Sequence, residues 1–210
     1  MSERPILMNT DMVRAILEGR KTVTRRVIKP QPEGQPIPMT ANSCYPDCFG
    51  IEETPKVIRP PYQPCDILWV REAWTRLPET PGGHFRPHGV YYYKVGEDLR
   101  PEKYRGNGWH PSIHMPRAAA RIFLRVTDVR VERLQSINSQ GAYNEGAVKK
   151  PHFIRYGGEL CLALHGRYRD DFAAVWDNTI RPADRAAYGW EANPWVWVIS
   201  FERISEEGNQ

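Results

Sequence analysis

At 210 residues, with 40% hydrophobic and 26% charged residues and a mean hydropathy of −0.60, the sequence has ordinary globular composition and enough length to bury a core, which sets aside disordered and fibrous classes. A net charge of +4 and a pI near 8.9 favour anionic partners without requiring them. Nineteen prolines and 16 glycines argue against a long helical bundle, and no apolar run at the start is long enough for a leader or membrane span, so a cytoplasmic chain with reduced thiols and no membrane partner is expected.

Residues 1–30 hold seven Lys/Arg against three acids, and residues 100–133 hold eight against three. Brought together by folding, these segments form one patch for phosphates; left apart, they are solvated surface. Asn9 or Thr10 is placed to cap a helix in which Met12, Val13, Ile16 and Leu17 share a face, with Gly19 as the stop. Gly19-Arg20-Lys21-Thr22-Val23-Thr24-Arg25-Arg26 then packs four cations and two hydroxyls together. Its β-branched residues, continuing through Val27 and Ile28, predict a strand with Lys21 and Thr24 at its start. Strict alternation sends those two side chains to opposite faces, so one site holding both needs a twist or bulge.

From Pro30 to Pro64 nine prolines exclude a regular element and predict a long insertion over about 30–64, either a binding loop or decoration. Cys44, Cys48 and Cys65 lie in this loop-rich stretch, with His84 and His88 downstream. One CxxxC without a second matched pair leaves both a zinc knuckle and ordinary thiols open, and no metal is assigned. Ile67 to Trp74 reads as a nearly continuous buried strand. Within it Glu72 must face a cation such as Arg71 or Arg26, or line a polar cavity. Val90–Val95 and the long stretch Ala120–Leu134 are further strands. Ser139 caps a helical turn that ends at Glu145, before Gly146. Tyr168, Phe172, Val175 and Trp176 have the spacing of an amphipathic helix bounded by Gly166 and Pro182, and Trp195–Phe201 is apolar on both faces, as a central strand is. The simplest architecture is α+β: one domain over 1–210, a small, partly closed β-barrel with two to three packed helices.

No phosphate loop, dinucleotide fingerprint, HExxH or GxSxG is present, so a nucleotide cofactor is not expected. Lys21, Thr24, Glu72 and Glu145 remain as reactive groups. A threonine hydroxyl needs a base, and a lysine whose pKa is lowered by burial or by neighbours such as Arg20, Arg25 and Arg26 can be one; equally, a surface lysine beside strand threonines is common. Of the seven tryptophans, Trp69, Trp176, Trp195 and Trp197 sit in core patterns. Trp109 and Trp190 lie in Gly- and Pro-rich loops, where they either pack or stack on an unpaired base.

The opening helix with Gly19–Arg26, Asp66-Ile67-Leu68-Trp69-Val70-Arg71-Glu72, Ala142-Tyr143-Asn144-Glu145-Gly146 and the closing Phe201-Glu202-Arg203-Ile204 together resemble the ASCH domain, a PUA-like β-barrel superfamily tied to RNA binding and modification. The stretches Trp109–Pro116 and Asn193-Pro194-Trp195 are similar to the larger ASCH proteins of bacteriophages and prophages. The likeness runs from about residue 5 to 204, with 30–64 poorly matched. It implies amide hydrolysis of N4-acetylcytidine in which Lys21 activates Thr24, an acyl-enzyme forms, and Glu145 assists its hydrolysis, with no metal or other cofactor. Arg20, Arg25, Arg26, Glu72, Trp109 and Trp190 would then hold RNA or a modified nucleoside, with single-stranded DNA as a further candidate. Other ASCH proteins resemble nucleic-acid binders or ribonucleases, so a non-catalytic RNA- or DNA-binding module or a ribonuclease is the alternative.

Overall fold

The computed structural model describes residues 2–39, 47–148, 152–156, 159–163 and 168–205, with backbone alone for 152–156 and 159–163. In chain order the elements are β1 (Glu3–Leu7), α1 (Thr10–Leu17), β2 (Val23–Val27), β3 (Pro36–Pro38), β4 (Phe49–Ile51), β5 (Val57–Ile58), β6 (Ile67–Arg71), β7 (Trp74–Glu79), β8 (Phe85–Tyr93), β9 (Phe123–Arg133), α2 (Ser139–Asn144), β10 (His152–Tyr156), β11 (Glu159–Ala163), α3 (Tyr168–Thr179), α4 (Arg185–Tyr188) and β12 (Trp195–Ile204). The fold is mixed α+β, with several sheets and four α-helices among the described residues. That is one more helix than expected, the addition being the single turn α4. No ladder among the described residues closes into a barrel. Contacts divide the chain into two compact units: Met1–Gly19 with Cys65–Arg125 and Glu202–Gln210, and Arg20–Pro64 with Val126–Phe201.

In the first unit β1 runs parallel to β6, and β6 pairs antiparallel with the start of β9. β1 had no clear signal, because only Ile6 of its five residues is buried. Helix α1 begins as expected: the Asn9 side chain accepts from the Met12 amide at 2.8 Å, and Gly19 ends it with φ +73°. The expected single strand over 67–74 is in fact two. At the break the Glu72 amide donates to the Met115 Sδ at 3.2 Å, and the chain restarts as β7, which pairs with β8 as a hairpin. Ile67, Ala120 and Phe123 form a cluster under Trp69 and Ile204.

In the second unit β12 lies between β9 and β2, the central position expected of a strand apolar on both faces. Val23, Val196 and Val198 face α2 and α3 and pack with Leu134, Ile137, Ala142, Phe172 and Trp176. On the opposite face Trp197 meets Phe49 edge-on, with ring centroids 5.3 Å apart. The expectation of no regular element in 30–64 is corrected: β3, β4 and β5 form a three-stranded antiparallel sheet. Register explains how prolines are tolerated there. The Gln35 carbonyl accepts from Glu52 and the Met39 amide donates to Cys48, so odd-numbered residues bond to β4. Pro36 and Pro38 fall at the alternate positions of an edge strand, where no N–H is needed. Cys44 and Gly166, named above, lie outside the described residues.

Candidate active site

The Arg20–Thr22 segment, just ahead of β2, is pinned at both backbone groups of Thr22. Its amide donates to the Asn144 carbonyl at 2.9 Å, and its carbonyl accepts from the Phe201 amide at 2.9 Å. Helix α2, which it meets, is capped by Asn138 rather than Ser139; the Asn138 side chain accepts from the Gly141 amide at 2.7 Å. Glu145 is the C-cap, and Gly146 follows with φ +90°, a conformation that favours glycine. The Gly146 amide donates to Tyr143 and the Ala147 amide to Ala142, the paired bonds of a Schellman motif, with Ala142 and Ala147 both in the core cluster. This turn directs the Glu145 side chain and its carbonyl at Lys21.

Lys21 is buried, and all three of its ammonium protons are engaged: Nζ donates to the Val23 carbonyl at 2.7 Å, the Glu145 carbonyl at 2.8 Å and Glu145 Oε2 at 2.7 Å. A cation at a helix C-terminus satisfies carbonyls that have no intrahelical partner. Burial holds the Lys21 pKa below its ordinary 10.5; Glu145 opposes that shift, while Arg26 and Arg25 add to it. The other oxygen of Glu145 accepts from Arg25 Nη1 at 3.1 Å, and Arg25 Nη2 donates to Glu132 Oε2 at 3.2 Å. Arg130 Nε completes the row with a 2.6 Å bond to Glu132 Oε1, and its Nη1 reaches Asp128 at 3.2 Å. Burial pulls the Glu132 pKa up, but the hydrogen bond and charge of Arg130, aided by Arg25, outweigh it and leave the pKa below the ordinary value. Cations and carboxylates thus alternate from Lys21 to Asp128. One donor is left over: Arg25 Nε is buried without a hydrogen-bond partner.

Of the residues expected in the site, Lys21, Glu145 and Arg25 come together. Arg25, expected to contact phosphate, is instead buried between two carboxylates. Arg20 donates to the Gly146 carbonyl at 3.2 Å. Thr24 is buried on β2 opposite Ile199, on the strand face away from Val23 and Arg25, and no hydrogen bond among the described residues joins its hydroxyl to Lys21 or Glu145. Arg26 shares that face and is half-buried. Trp190 packs on the core cluster, edge-on to Phe172, with the Arg169 guanidinium 4.9 Å from its ring centroid. Glu72 belongs to the first unit, and its cation is Arg121 rather than Arg71 or Arg26: Nε and Nη2 hold its two oxygens at 2.9 and 2.8 Å. Cys48 is buried in the second unit and Cys65 exposed in the first; among the described residues no group of three or more His, Cys, Asp or Glu is arranged to hold a metal.

Glu132 and Arg130 were missed, although Asp128, Arg130 and Glu132 alternate along β9 and a same-face charge row was legible in that spacing. Arg121 precedes the strand and carries no such signal.

Trp109, in the first unit, is half-buried and has the Arg100 guanidinium 4.0 Å from its ring centroid. Arg100 is in turn fixed by Asp98, with Nε and Nη2 donating at 2.9 and 2.8 Å, and by the Asn107 carbonyl at 2.8 Å. The Arg100 hydrogen bond lowers the Asp98 pKa from 3.8 to about 2. A depressed carboxyl contributes stability that is present above its unfolded value and lost as pH falls through its folded one. Carboxyl-carbon NMR is therefore expected to place the Asp98 midpoint near 2, with Asp98→Asn loosening the Arg100–Trp109 stack; a midpoint at the ordinary value means the pairing is not made.

No protein-family model, curated protein or solved structure matches the chain.

Proposed function

We propose that the chain is an ASCH-type protein of the PUA-like superfamily that acts on RNA or a modified nucleoside, hydrolysing the amide of an N-acylated cytidine-like base through Lys21, Thr24 and Glu145. The observation that carries this reading is the buried 2.7 Å contact between Lys21 Nζ and Glu145 Oε2, with the lysine's pKa lowered by burial. Such a lysine gives up its proton more readily than a surface one, and the carboxylate is there to take it. In the proposed cycle Thr24 Oγ attacks the acyl carbon while its proton passes to the neutral Lys21 amine. The carbon–nitrogen bond breaks as the leaving nitrogen takes that proton. Water then adds to the threonine ester as its proton passes to the Lys21 amine, Lys21 hands that proton to Thr24 Oγ as the ester carbon–oxygen bond breaks, and acetic acid leaves; Glu145, which holds the lysine's first proton, returns it to the amine. The cycle as written uses side chains and water. It requires residues 20–22 to turn so that the Lys21 amine meets the Thr24 hydroxyl, because the two lie on opposite sides of the strand in this structure. The PUA-like barrel belongs to the same reading, supported by the mixed sheets and by α2 and α3 packed on one sheet face.

One observation favours a second reading. All three Lys21 protons have acceptors, as in a residue whose task is to lock α2 to the strand. On that reading the chain is an RNA- or single-stranded-DNA-binding module and no bond is cleaved. Acetate release from N4-acetylcytidine separates the two. The purified protein is expected to release acetate, Lys21→Ala and Thr24→Ala to abolish release, and Thr24→Ser to retain part of it. No turnover by folded wild type removes the hydrolase and leaves the binder, whose affinity for single-stranded RNA falls steeply with salt.

A further inference from the structure

The Glu72–Arg121 pair stands beside an open cleft in the first unit that the hydrolase reading does not use. The cleft has a volume of about 370 Å³, in the range of small-ligand sites, and is lined by β8 residues 90–93, by Gly96, Glu97 and Leu99, and by Arg121. The Arg121 guanidinium is held on three sides. Glu72 takes Nε and Nη2, the Val95 carbonyl accepts from Nη2 at 2.9 Å, and the Tyr93 ring lies with its centroid 4.0 Å away. Tyr93 is itself fixed by its hydroxyl, which donates to the Ala119 carbonyl at 2.8 Å. Nη1 has no acceptor among the described residues, and the Arg121 side chain is 32% exposed. A flat, pre-oriented guanidinium with two N–H donors left over thus stands among the residues that line the cleft, with the apolar Val90 and the 51% exposed Leu99 beside it.

Charge decides what fits. Glu72 neutralises Arg121, and Glu97 also lines the cleft, so an incoming anion meets no net positive charge, whereas a neutral carbonyl oxygen accepts from Nη1 without bringing charge into the site. We propose that this cleft is a ligand site for a flat, uncharged ring bearing a carbonyl, of the lactam type, with the carbonyl accepting from Arg121 Nη1 and the ring between Val90 and Leu99. A carboxylate or phosphate ligand is disfavoured by the same charges.

The test titrates the full chain with uracil, a neutral lactam ring, and with benzoate, a flat anion of similar size, following the amide NMR signals of Gly96 and Leu99 and the heat of binding. Uracil is expected to shift both signals and to bind at least tenfold more tightly than benzoate. Arg121→Lys, which keeps a cation opposite Glu72 but removes the second nitrogen and the flat face, is expected to lose uracil affinity at least tenfold. Should that variant fold poorly, Leu99→Glu, a change at an exposed wall, is read on the Gly96 amide and the heat of binding, with the same expected loss. Benzoate binding as tightly as uracil, uracil shifts that leave Gly96 and Leu99 unmoved, or unchanged affinity in a folded variant overturns the proposal. Acetate release is read separately, so failure of the hydrolase reading and failure of this one are distinguishable.

Discussion

Glu145→Ala is expected to destabilise the protein by about 3–5 kcal/mol, the range for removing one partner of a buried ion pair, and to lower Tm by about 10 °C. The reason is what the substitution leaves behind. Lys21 and Arg25 have side chains 0% and 3% exposed, and Glu145 is the carboxylate bonded to both. Without it Lys21 retains two backbone carbonyls but no counter-charge, and Arg25 retains Glu132 alone. The exposed pair Lys56–Glu33 is the internal control, since breaking an exposed ion pair costs under about 1 kcal/mol. Adding Lys21→Met to Glu145→Ala replaces the stranded ammonium with an apolar chain of similar length. The double variant is then expected to recover about 1 kcal/mol or more over additivity. Denaturant unfolding of Glu145→Ala, Lys21→Met and the double variant checks this; a Glu145→Ala cost below about 1 kcal/mol means the cluster does not hold the fold together.

The same group fixes the sign of a pH effect. Because the folded-state pKa of Lys21 lies below its ordinary 10.5, the unfolded chain binds more protons between those two values, so the contribution of this lysine to stability rises with pH across that window. Below the window the cost of burying the ammonium is fully present. Removing Glu145 takes away the influence that opposes burial and extends the window downward. The deficit of Glu145→Ala relative to wild type is therefore expected to shrink as pH rises from neutral toward 10.5. A deficit that grows over that interval contradicts the assignment of a buried, positively charged Lys21.

What was legible in the sequence follows the range of the interactions concerned. Asn9, Gly19 and Gly146 act on amides and carbonyls within a few residues, so helix ends were readable from residue type alone. β12 was readable because a strand covered on both faces is apolar at every position. The small sheet in 30–64 is hidden from a count of prolines, because their tolerance depends on which edge of β3 each nitrogen faces. At the site, Lys21 and Glu145 are 124 residues apart, and no local pattern pairs them. Residue type alone leaves them among four candidate reactive groups with Thr24 and Glu72, and the ASCH resemblance is what singles them out with Thr24. Arg25 shows the opposite difficulty: its type and basic neighbours suggest an exposed phosphate contact, while strand alternation puts it on the helix-covered face among carboxylates. The partner of Glu72 was unreadable for the same reason of distance, since Arg121 lies 49 residues on and ahead of its strand.

That pair yields the second large effect, and its two halves are not equivalent. Arg121→Ala leaves Glu72, 1% exposed, as a carboxylate without a cation, and is expected to cost about 3–5 kcal/mol. Glu72→Ala leaves Arg121, whose side chain is 32% exposed and still donates to the Val95 carbonyl, so solvent and that bond carry the charge and the expected cost is about 1–2 kcal/mol. The more exposed residue is thus the more damaging to delete, the reverse of what burial of the deleted side chain alone predicts. Urea unfolding of both variants tests the asymmetry. Equal costs, or a larger cost for Glu72→Ala, would show that packing around the Tyr93 ring, and not the charge left behind, sets the stability of this part of the first unit.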